Sequence, residues 1–407
     1  MSREILTVSF IEIERSDTLK KGRNSIMVLG SKELIRDINS KLVLETILQN
    51  EPISRAAISK KLGLTKATIS AIVSDFINDK LVVEIGSDDT ELGRKPILLS
   101  FHKKAGYAIC VDIEVSRISC MISDLKGEQR SVKQIKTPSE SNLIPVLIDL
   151  IQSMESEYEK TPYGLIGIAI GIHGVVHQNE VLFTPYYNLN GINLSEQLGS
   201  YFGVPVFLEN EANLSALGEK AYLPETYTSL ANLSIHSGVG LGIILNKQLY
   251  TGYHGNAGEF GHTIVVMNGR TCPCGNQGCL EQYASERALL KEYSEDASLD
   301  DLLLAYEKKE PKAVEVMEHF INYMAVCVNN LQNTISPEII IINSAFTNAY
   351  PELAEMITKK VSNKLIDKIP LIASNLKDHS ILLGGITVLV KNFLGIKNLS
   401  LVAKNPS

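Results

Sequence analysis

Three things are missing from this chain of 407 residues, and each excludes a class of protein. No apolar run approaches the roughly 20 residues that cross a bilayer, so no membrane-spanning helix is expected. The N-terminus has no secretory pattern: the mostly apolar stretch 5–11 is short and runs straight into Glu12. Cysteine is scarce, and Cys110, Cys120 and Cys327 lie apart without the spacing of a disulfide framework, which points to a reducing cytoplasm. With 44% hydrophobic and 21% charged residues the composition suits a soluble globular protein. The length calls for two or three domains.

The net charge of −7 is unevenly spread. Residues 1–104 carry 17 Lys and Arg against 14 Asp and Glu; the remainder carries 22 against 32. A positive N-terminal module on an acidic body hints at a polyanion partner, although plain solvated surface gives the same numbers.

The other three cysteines are bunched with a histidine, as His262-x9-Cys272-x-Cys274-x4-Cys279. One imidazole and three thiolates are what a closed tetrahedral zinc site needs. Pro273, Gly275 and Gly278 let the backbone turn tightly around an ion. The alternative is three buried thiols beside a surface histidine, but packing alone seldom bunches cysteines in a turn-rich loop. Four protein ligands leave no open position, so the zinc is expected to be structural.

Residues 31–104 read as a winged helix-turn-helix, after an arm (1–30) without clear periodicity. A first helix is predicted over 32–49 with Ile35, Ile38, Leu44, Ile47 and Leu48 inward, and Pro52 ends it. Ser54 caps a second helix at 55–61, and Gly63 fills the tight turn. Thr65 caps a third helix in which Ile69, Ile72, Val73 and Phe76 follow helical spacing. The opposite face presents Lys66, Thr68 and Ser70 near the helix start, the end that meets base edges in this motif. Strands at 81–85 and 97–101 flank a polar loop holding Gly93-Arg94-Lys95-Pro96, a wing whose Arg94 and Lys95 would meet phosphates or the minor groove. Arg55, Thr65, Lys66, Thr68, Ser70, Arg94 and Lys95 are the expected DNA contacts. The alternative is a small three-helix interaction module that never touches DNA.

From residue 105 the pattern becomes strand-turn-strand followed by strand and helix, and it occurs twice. Strands are predicted at 107–113, 117–124, 165–171, 204–208 and 229–235. Two α/β lobes around a cleft are expected, over 105–225 and 226–407. The run Ile235-x2-Gly238-Val-Gly240-x-Gly242-Ile243-x8-Gly252-x5-Gly258-x2-Gly261-His262 resembles the signature of the ROK family of bacterial repressors and sugar kinases. The segment Glu209-Asn-Glu-Ala-Asn213 and the cysteine cluster fit the same family. The resemblance runs from about residue 31 to about 394. It implies an α/β fold: a winged helix-turn-helix plus a two-lobed actin-like (ribonuclease H-like) sugar-kinase body. The winged module marks the repressor branch. Leu42-Val-Leu-Glu-Thr-Ile47, Lys66-Ala-Thr-Ile-Ser70 and Gly275-Asn-x-Gly-Cys279 are similar to the xylose-responsive repressors of Gram-positive bacteria.

By the same resemblance, kinases of the family grip ATP with an Asp-x-Gly-Gly-Thr turn between the first two strands. Here that turn is Asp112-Ile-Glu114-Val115-Ser116. A carboxylate at 114 repels a triphosphate, and β-branched Val115 blocks close approach. A second glycine-rich turn is replaced by Asn343-Ser344-Ala345, and the catalytic aspartate by Glu211. Gly384-Gly385 is left to line a relic of the nucleotide cleft. The sugar pocket is kept: Asn210, Glu211, Glu259, His262 and Glu281 would line it, with carboxylates and an amide suited to adjacent hydroxyls. His262 would serve zinc with one ring nitrogen and the pocket with the other. His173, Asn188 and Asn193 are as well explained by loop packing.

The expectation is a cytoplasmic, zinc-containing, non-enzymatic repressor. It binds operator DNA as a homodimer or higher oligomer and releases it when xylose or another aldose enters the cleft. Two alternatives stay open at this point: an active sugar kinase with an appended DNA-binding unit, and a regulator gated by a protein or a phosphorylated sugar.

Overall fold

Caps and a turn glycine set the N-terminal helices. The computed structural model describes residues 32–87, 96–362, 364 and 368–401. In it, helix α1 (Lys32–Asn50) leads into a short strand β1 (Ile53–Ser54) and helix α2 (Arg55–Leu62). The Ser54 hydroxyl accepts the Ala57 amide, and Gly63 closes α2 at φ +67°, a conformation open to glycine without strain. Thr65 caps α3 (Lys66–Asn78) through the Thr68 amide. Strands β2 (Val82–Ser87) and β3 (Ile97–Phe101) are antiparallel, and β1 pairs with the other edge of β3. A two-residue strand such as β1 is too short to show alternation in sequence.

The chain divides into two compact units, residues 1–39 and 40–407. Of the first, residues 32–39 are helical, with Leu34, Ile35 and Ile38 about half exposed. This corrects the expectation that Ile35 and Ile38 face inward. The buried face of α1 is Val43, Leu44, Ile47 and Leu48. Periodicity marks which side of a helix is apolar, not how far along it a neighbour extends.

Beyond residue 105 one strand order is written twice. Strands β4 (Tyr107–Ile113), β5 (Arg117–Asp124) and β6 (Arg130–Lys136) form an antiparallel meander. After α4 (Leu143–Ser156), β7 (Leu165–Ile172) runs parallel to β4. The hairpin β8 (Val175–His177) and β9 (Glu180–Phe183) and helix α5 (Leu194–Phe202) precede β10 (Val206–Asn210), which runs parallel to β7 and passes directly into α6 (Glu211–Tyr222).

The second sheet opens with antiparallel β11 (Leu230–Ile235), β12 (Val239–Leu245) and β13 (Gln248–Leu249). Four helices follow: α7 (Glu281–Ala284), α8 (Glu286–Tyr293), α9 (Leu299–Glu307) and α10 (Pro311–Thr334). Strand β14 (Ile340–Ser344) then adds parallel to β11. Past α11 (Ala345–Ala349) and α12 (Leu353–Lys360), β15 (Leu371–Ala373) completes the sheet. Numbered in chain order, each five-stranded sheet reads 3-2-1-4-5. The doubled order is that of the two-lobed, sugar-kinase-like body.

Helix α13 (Ser380–Leu394) follows the second sheet in sequence but packs on β4 and β7 of the first, beside α6. A Cβ built on Gly384 would stand 1.8 Å from the Leu214 carbonyl oxygen of α6, and one on Gly385 2.2 Å from Cys110 Sγ. These two glycines therefore do not line a nucleotide cleft. They are buried mid-helix, where the missing Cβ lets α13 touch α6 and the sheet. A buried polar ladder ties the four elements that meet there: Asn232 Nδ2 donates to Ser215 Oγ (2.8 Å), Ser215 Oγ shares a hydrogen bond with Ser380 Oγ (2.9 Å), and Asn343 Nδ2 donates to Ser380 Oγ (2.5 Å).

Candidate metal centre and ligand cleft

The cysteine loop folds on two turns. The Gly275 amide donates to the Cys272 carbonyl (3.0 Å) and the Cys272 amide to the Asn276 carbonyl (2.9 Å). Gly278, at φ +85°, lies so close to Val266 that a Cβ would stand 1.6 Å from its carbonyl oxygen. Only glycine allows that approach, and it brings Cys279 back under the turn. One donor atom each from His262, Cys272, Cys274 and Cys279 lies within 4.8 Å of the others. Cys272 Sγ is 3.5 Å from His262 Nδ1, and Cys274 Sγ is 3.6 Å from Cys279 Sγ. Donors about 2.0–2.3 Å from a tetrahedral ion stand roughly 3.4–3.8 Å apart, so the group is shaped to hold a metal ion. Gln282 Nε2 donates to Cys272 Sγ (3.5 Å). Arg270 lies over the Tyr283 ring (4.7 Å) and binds the Gln282 carbonyl (2.8 Å) and Glu292 (2.9 Å). Neither Gln282 nor Arg270 is marked by any pattern in the sequence.

His262 turns its other nitrogen, Nε2, toward Glu259 (3.8 Å). The ring thus joins the cysteine loop to a cleft built along β12. Its alternating glycines explain how. A Cβ on Gly238 would stand 2.8 Å from Glu281 Oε2, one on Gly240 3.0 Å from Glu211 Oε1, and one on Gly242 2.3 Å from the Ala212 carbonyl. With period two, these three positions share one face of the strand. From Gly238, just ahead of β12, to Gly242 that face has no side chains, so the start of α6 and the Glu281 carboxylate rest on bare backbone; Ile244, next on the same face, packs near Ala216 of α6.

Asn210 is the N-cap of α6: its Oδ1 accepts the Ala212 (2.9 Å) and Asn213 (3.1 Å) amides. Its Nδ2 donates to the Gly174 carbonyl (2.9 Å) and to Glu211 Oε2 (2.7 Å), so it orients the next residue. Burial, aided by the charges of Asp112 and Glu259, raises the Glu211 carboxyl to about 7, against the opposing pull of His173 and the backbone. Glu259 is also raised, by burial first and by Glu281. Glu281 is 6% exposed. Its carboxylate accepts from the Tyr186 hydroxyl (3.2 Å), Arg287 (3.3 Å) and the Val239 amide (3.4 Å), with Arg287 stacked 4.6 Å above the Tyr186 ring. Tyr186 follows the separate two-stranded hairpin β8–β9 and Arg287 belongs to α8, so this trio joins segments far apart in the chain. Neither was expected at the site.

The turn after β4 carries an ion pair. Glu114 Oε1 accepts from Arg117 Nε (2.6 Å), and the Glu114 carbonyl accepts the Thr137 hydroxyl (2.7 Å). Asn343 is tied to Ser380 and to the Lys377 carbonyl (3.1 Å). His173 Nε2 meets Asp112 Oδ1 at 3.0 Å, a pairing the sequence reading left aside. Burial lowers the imidazole's pKa, but the charge and hydrogen bond of Asp112, with Glu211 and Glu114, outweigh it and lift the pKa to about 9.

That shift carries a sign. The folded-state pKa lies above the unfolded one, so the stabilisation is complete below about pH 6.5 and disappears as pH rises through about 9. The pair should contribute roughly 1–3 kcal/mol at pH 6.5. Urea unfolding of wild type and His173→Gln at pH 6.5, 8 and 9.5 should show a difference that shrinks with pH. A constant difference would mean that His173 stays neutral.

In the winged helix-turn-helix, Ile69, Ile72 and Val73 bury one face of α3, while Lys66 and Ser70 are exposed on the other. Thr68 is half-buried and shares a hydrogen bond with Thr65 (2.9 Å). Arg55 is paired with Glu84 of β2 (2.8 Å). Arg94 and Lys95 lie outside the described residues.

Residues 108–392 match the ROK family, and residues 36–83 match a winged helix-turn-helix DNA-binding family. The chain is 35% identical to the xylose repressor of Bacillus spizizenii, covering 91% of this chain and 99% of that one. It is 33% identical to the xylose repressor of Staphylococcus xylosus, covering 90% and 98%. Among solved structures, a ROK family transcriptional regulator described as a homolog of the E. coli MLC protein has a TM-score of 0.74 at 26% identity, covering 88% of this chain and 96% of that one. A ROK glucokinase from Streptomyces griseus, solved with glucose and AMPPNP, has a TM-score of 0.63 at 25% identity, covering 70% of this chain and 99% of its own. The chain belongs to the ROK family and carries a winged helix-turn-helix unit ahead of the family's sugar-kinase-like body.

Proposed function

We propose that this protein is a transcriptional repressor that holds operator DNA through its winged helix-turn-helix and releases it when a sugar, xylose first among the candidates, occupies the cleft. One observation carries this reading. A single compact unit, residues 40–407, holds both an exposed start of α3 and the neighbouring carboxylates of Glu211, Glu259 and Glu281, while the turn that matches the kinases' phosphate turn carries the Glu114–Arg117 ion pair. The names of the relatives, xylose repressors, support the choice of sugar. Glu211 and Glu259 accept from sugar hydroxyls, His262 donates from Nε2, and Glu281, held by Tyr186 and Arg287, closes the end of the pocket. Zinc on His262, Cys272, Cys274 and Cys279 supplies a fixed ring orientation and no reactive position. Lys66, Thr68 and Ser70 meet bases; Arg94 and Lys95, in the wing, meet phosphates. Two protomers place two such units on two half-sites, and a coupling of about 1–3 kcal/mol suffices to spoil the fit.

The test is an operator mobility shift titrated with xylose and glucose, with Glu259→Gln beside wild type. The amide keeps the shape and removes the charge. A charge-assisted hydrogen bond contributes roughly 1.5–3 kcal/mol, so this variant should need on the order of ten- to a hundredfold more sugar. Its sugar-free operator affinity should match wild type. Identical curves would remove Glu259 from the pocket, and no release by any aldose would overturn the sensor reading.

A further inference from the structure

Two hydrogen-bonded routes leave the far end of α6: one finishes at Glu51, just past the end of α1, and the other at Glu45 on α1. The Tyr222 hydroxyl donates to the Lys126 carbonyl (3.0 Å) in the turn between β5 and β6. The Lys126 ammonium pairs with Glu51 Oε1 (2.5 Å), with side chains only 13% and 12% exposed. The other Glu51 oxygen accepts the Ser100 hydroxyl (2.7 Å) and the Phe101 amide (2.5 Å) of wing strand β3. The second route starts at the Ala221 carbonyl, which accepts the Leu401 amide (2.7 Å). Just ahead of Leu401, the Lys397 (3.1 Å) and Asn398 (3.2 Å) amides donate to Glu45 Oε1 on α1. Ile396, Leu399 and Leu401 are buried in the same apolar core as Val43, Leu44 and Ile47 of α1.

The near end of α6 is in the cleft. Asn210 and Glu211 start the helix, and its first turn rests on Gly240 and Gly242. Twelve residues of helix span about 18 Å with no break. The Gly384 contact binds α6 to α13 backbone to backbone, so the pair resists bending. A shift of α6 by an ångström must either strain the seven polar contacts of the two routes or carry α1 and wing strand β3 with it. The second costs less, because the nearly buried Lys126–Glu51 pair and the Phe101 amide on Glu51 are expensive to leave unmade.

We propose that α6 is the lever that transmits the state of the cleft to the DNA-binding unit, with Tyr222–Lys126–Glu51 and Ala221–Leu401 followed by Asn398–Glu45 as its two attachments. This rests on the repressor reading above. A third contact of the unit serves as the control: the Tyr163 hydroxyl donates to the Asp79 carbonyl at the end of α3 (2.7 Å) and does not start from α6.

The experiment compares wild type with Tyr222→Phe, which deletes one hydroxyl, Lys126→Met, which keeps the stem, and Tyr163→Phe. Operator affinity is measured by fluorescence anisotropy without and with saturating xylose, and xylose affinity of the free protein by calorimetry. Tyr222→Phe and Lys126→Met should keep both the sugar-free operator affinity and the xylose affinity within about threefold. The ratio of operator affinities without and with sugar should fall about tenfold, or to one. Tyr163→Phe should keep the wild-type ratio. Wild-type ratios in both lever variants, an equal loss in Tyr163→Phe, or loss of sugar-free operator binding in both lever variants would overturn the lever alone. A wild type that no aldose releases would overturn the repressor reading and the lever with it.

Discussion

Purified Cys274→Ser protein should carry almost no zinc and should no longer release operator DNA on addition of sugar, while binding the operator as wild type does. A serine hydroxyl is not ionised at neutral pH and cannot replace a thiolate. Structural zinc sites with four ligands contribute about 10–16 kcal/mol in isolated peptides, so losing one of the three sulfurs is expected to empty the site. The rest of the lobe should survive. Cys274 is exposed, and the core around Phe320, Ile342 and Phe346 does not contain it. The loop itself should open, because Cys274 Sγ is held by the facing cysteines and Asn276. With it goes the orientation of His262, whose Nδ1 faces Cys272 and whose Nε2 faces Glu259. Elemental analysis and the operator titration check this together. Cys327→Ser, buried in α10 away from the cluster, is the control and should keep its metal. One zinc per chain and normal induction in Cys274→Ser would sink the assignment of this ligand.

Gly384→Ala should destabilise the protein by roughly 3 kcal/mol or more, at the upper end of what overpacking costs. The added methyl would stand 1.8 Å from the Leu214 carbonyl oxygen and 2.5 Å from its carbon. Both are backbone atoms, so no rotamer change relieves the clash and the two helices must part. Gly63→Ala is the useful comparison. Its φ is +67°, but a Cβ there meets nothing within 4 Å. It should cost only about 1–2 kcal/mol of left-handed strain. Urea denaturation of both variants distinguishes steric from conformational cost. Equal, small losses would mean that α6 and α13 do not touch as described.

Some of this architecture was legible one residue at a time. Ser54, Gly63 and Thr65 punctuate the recognition unit where a cap or a left-handed turn is required, because such hydrogen bonds close within three or four residues. The spacing of His262, Cys272, Cys274 and Cys279 is likewise local, and so is the family signature along β12. The strands near residues 107 and 165 were visible as apolar runs. What the tertiary structure decided lies between distant segments. His173 meets Asp112 across 61 residues, and Tyr186 meets Glu281 across 95. Each is an ordinary loop side chain until the lobes bring it to a charge. The glycines of β12 were read as a signature, but the reason for them is that Glu281, Glu211 and Ala212 need the space. Helix α1 shows the opposite limit: its apolar side is plain in the sequence, yet only the last turns bury it. Periodicity and capping encode the conformation of a segment. Which surface covers that segment, and which charge faces it, depends on free energies summed over contacts far apart in the chain.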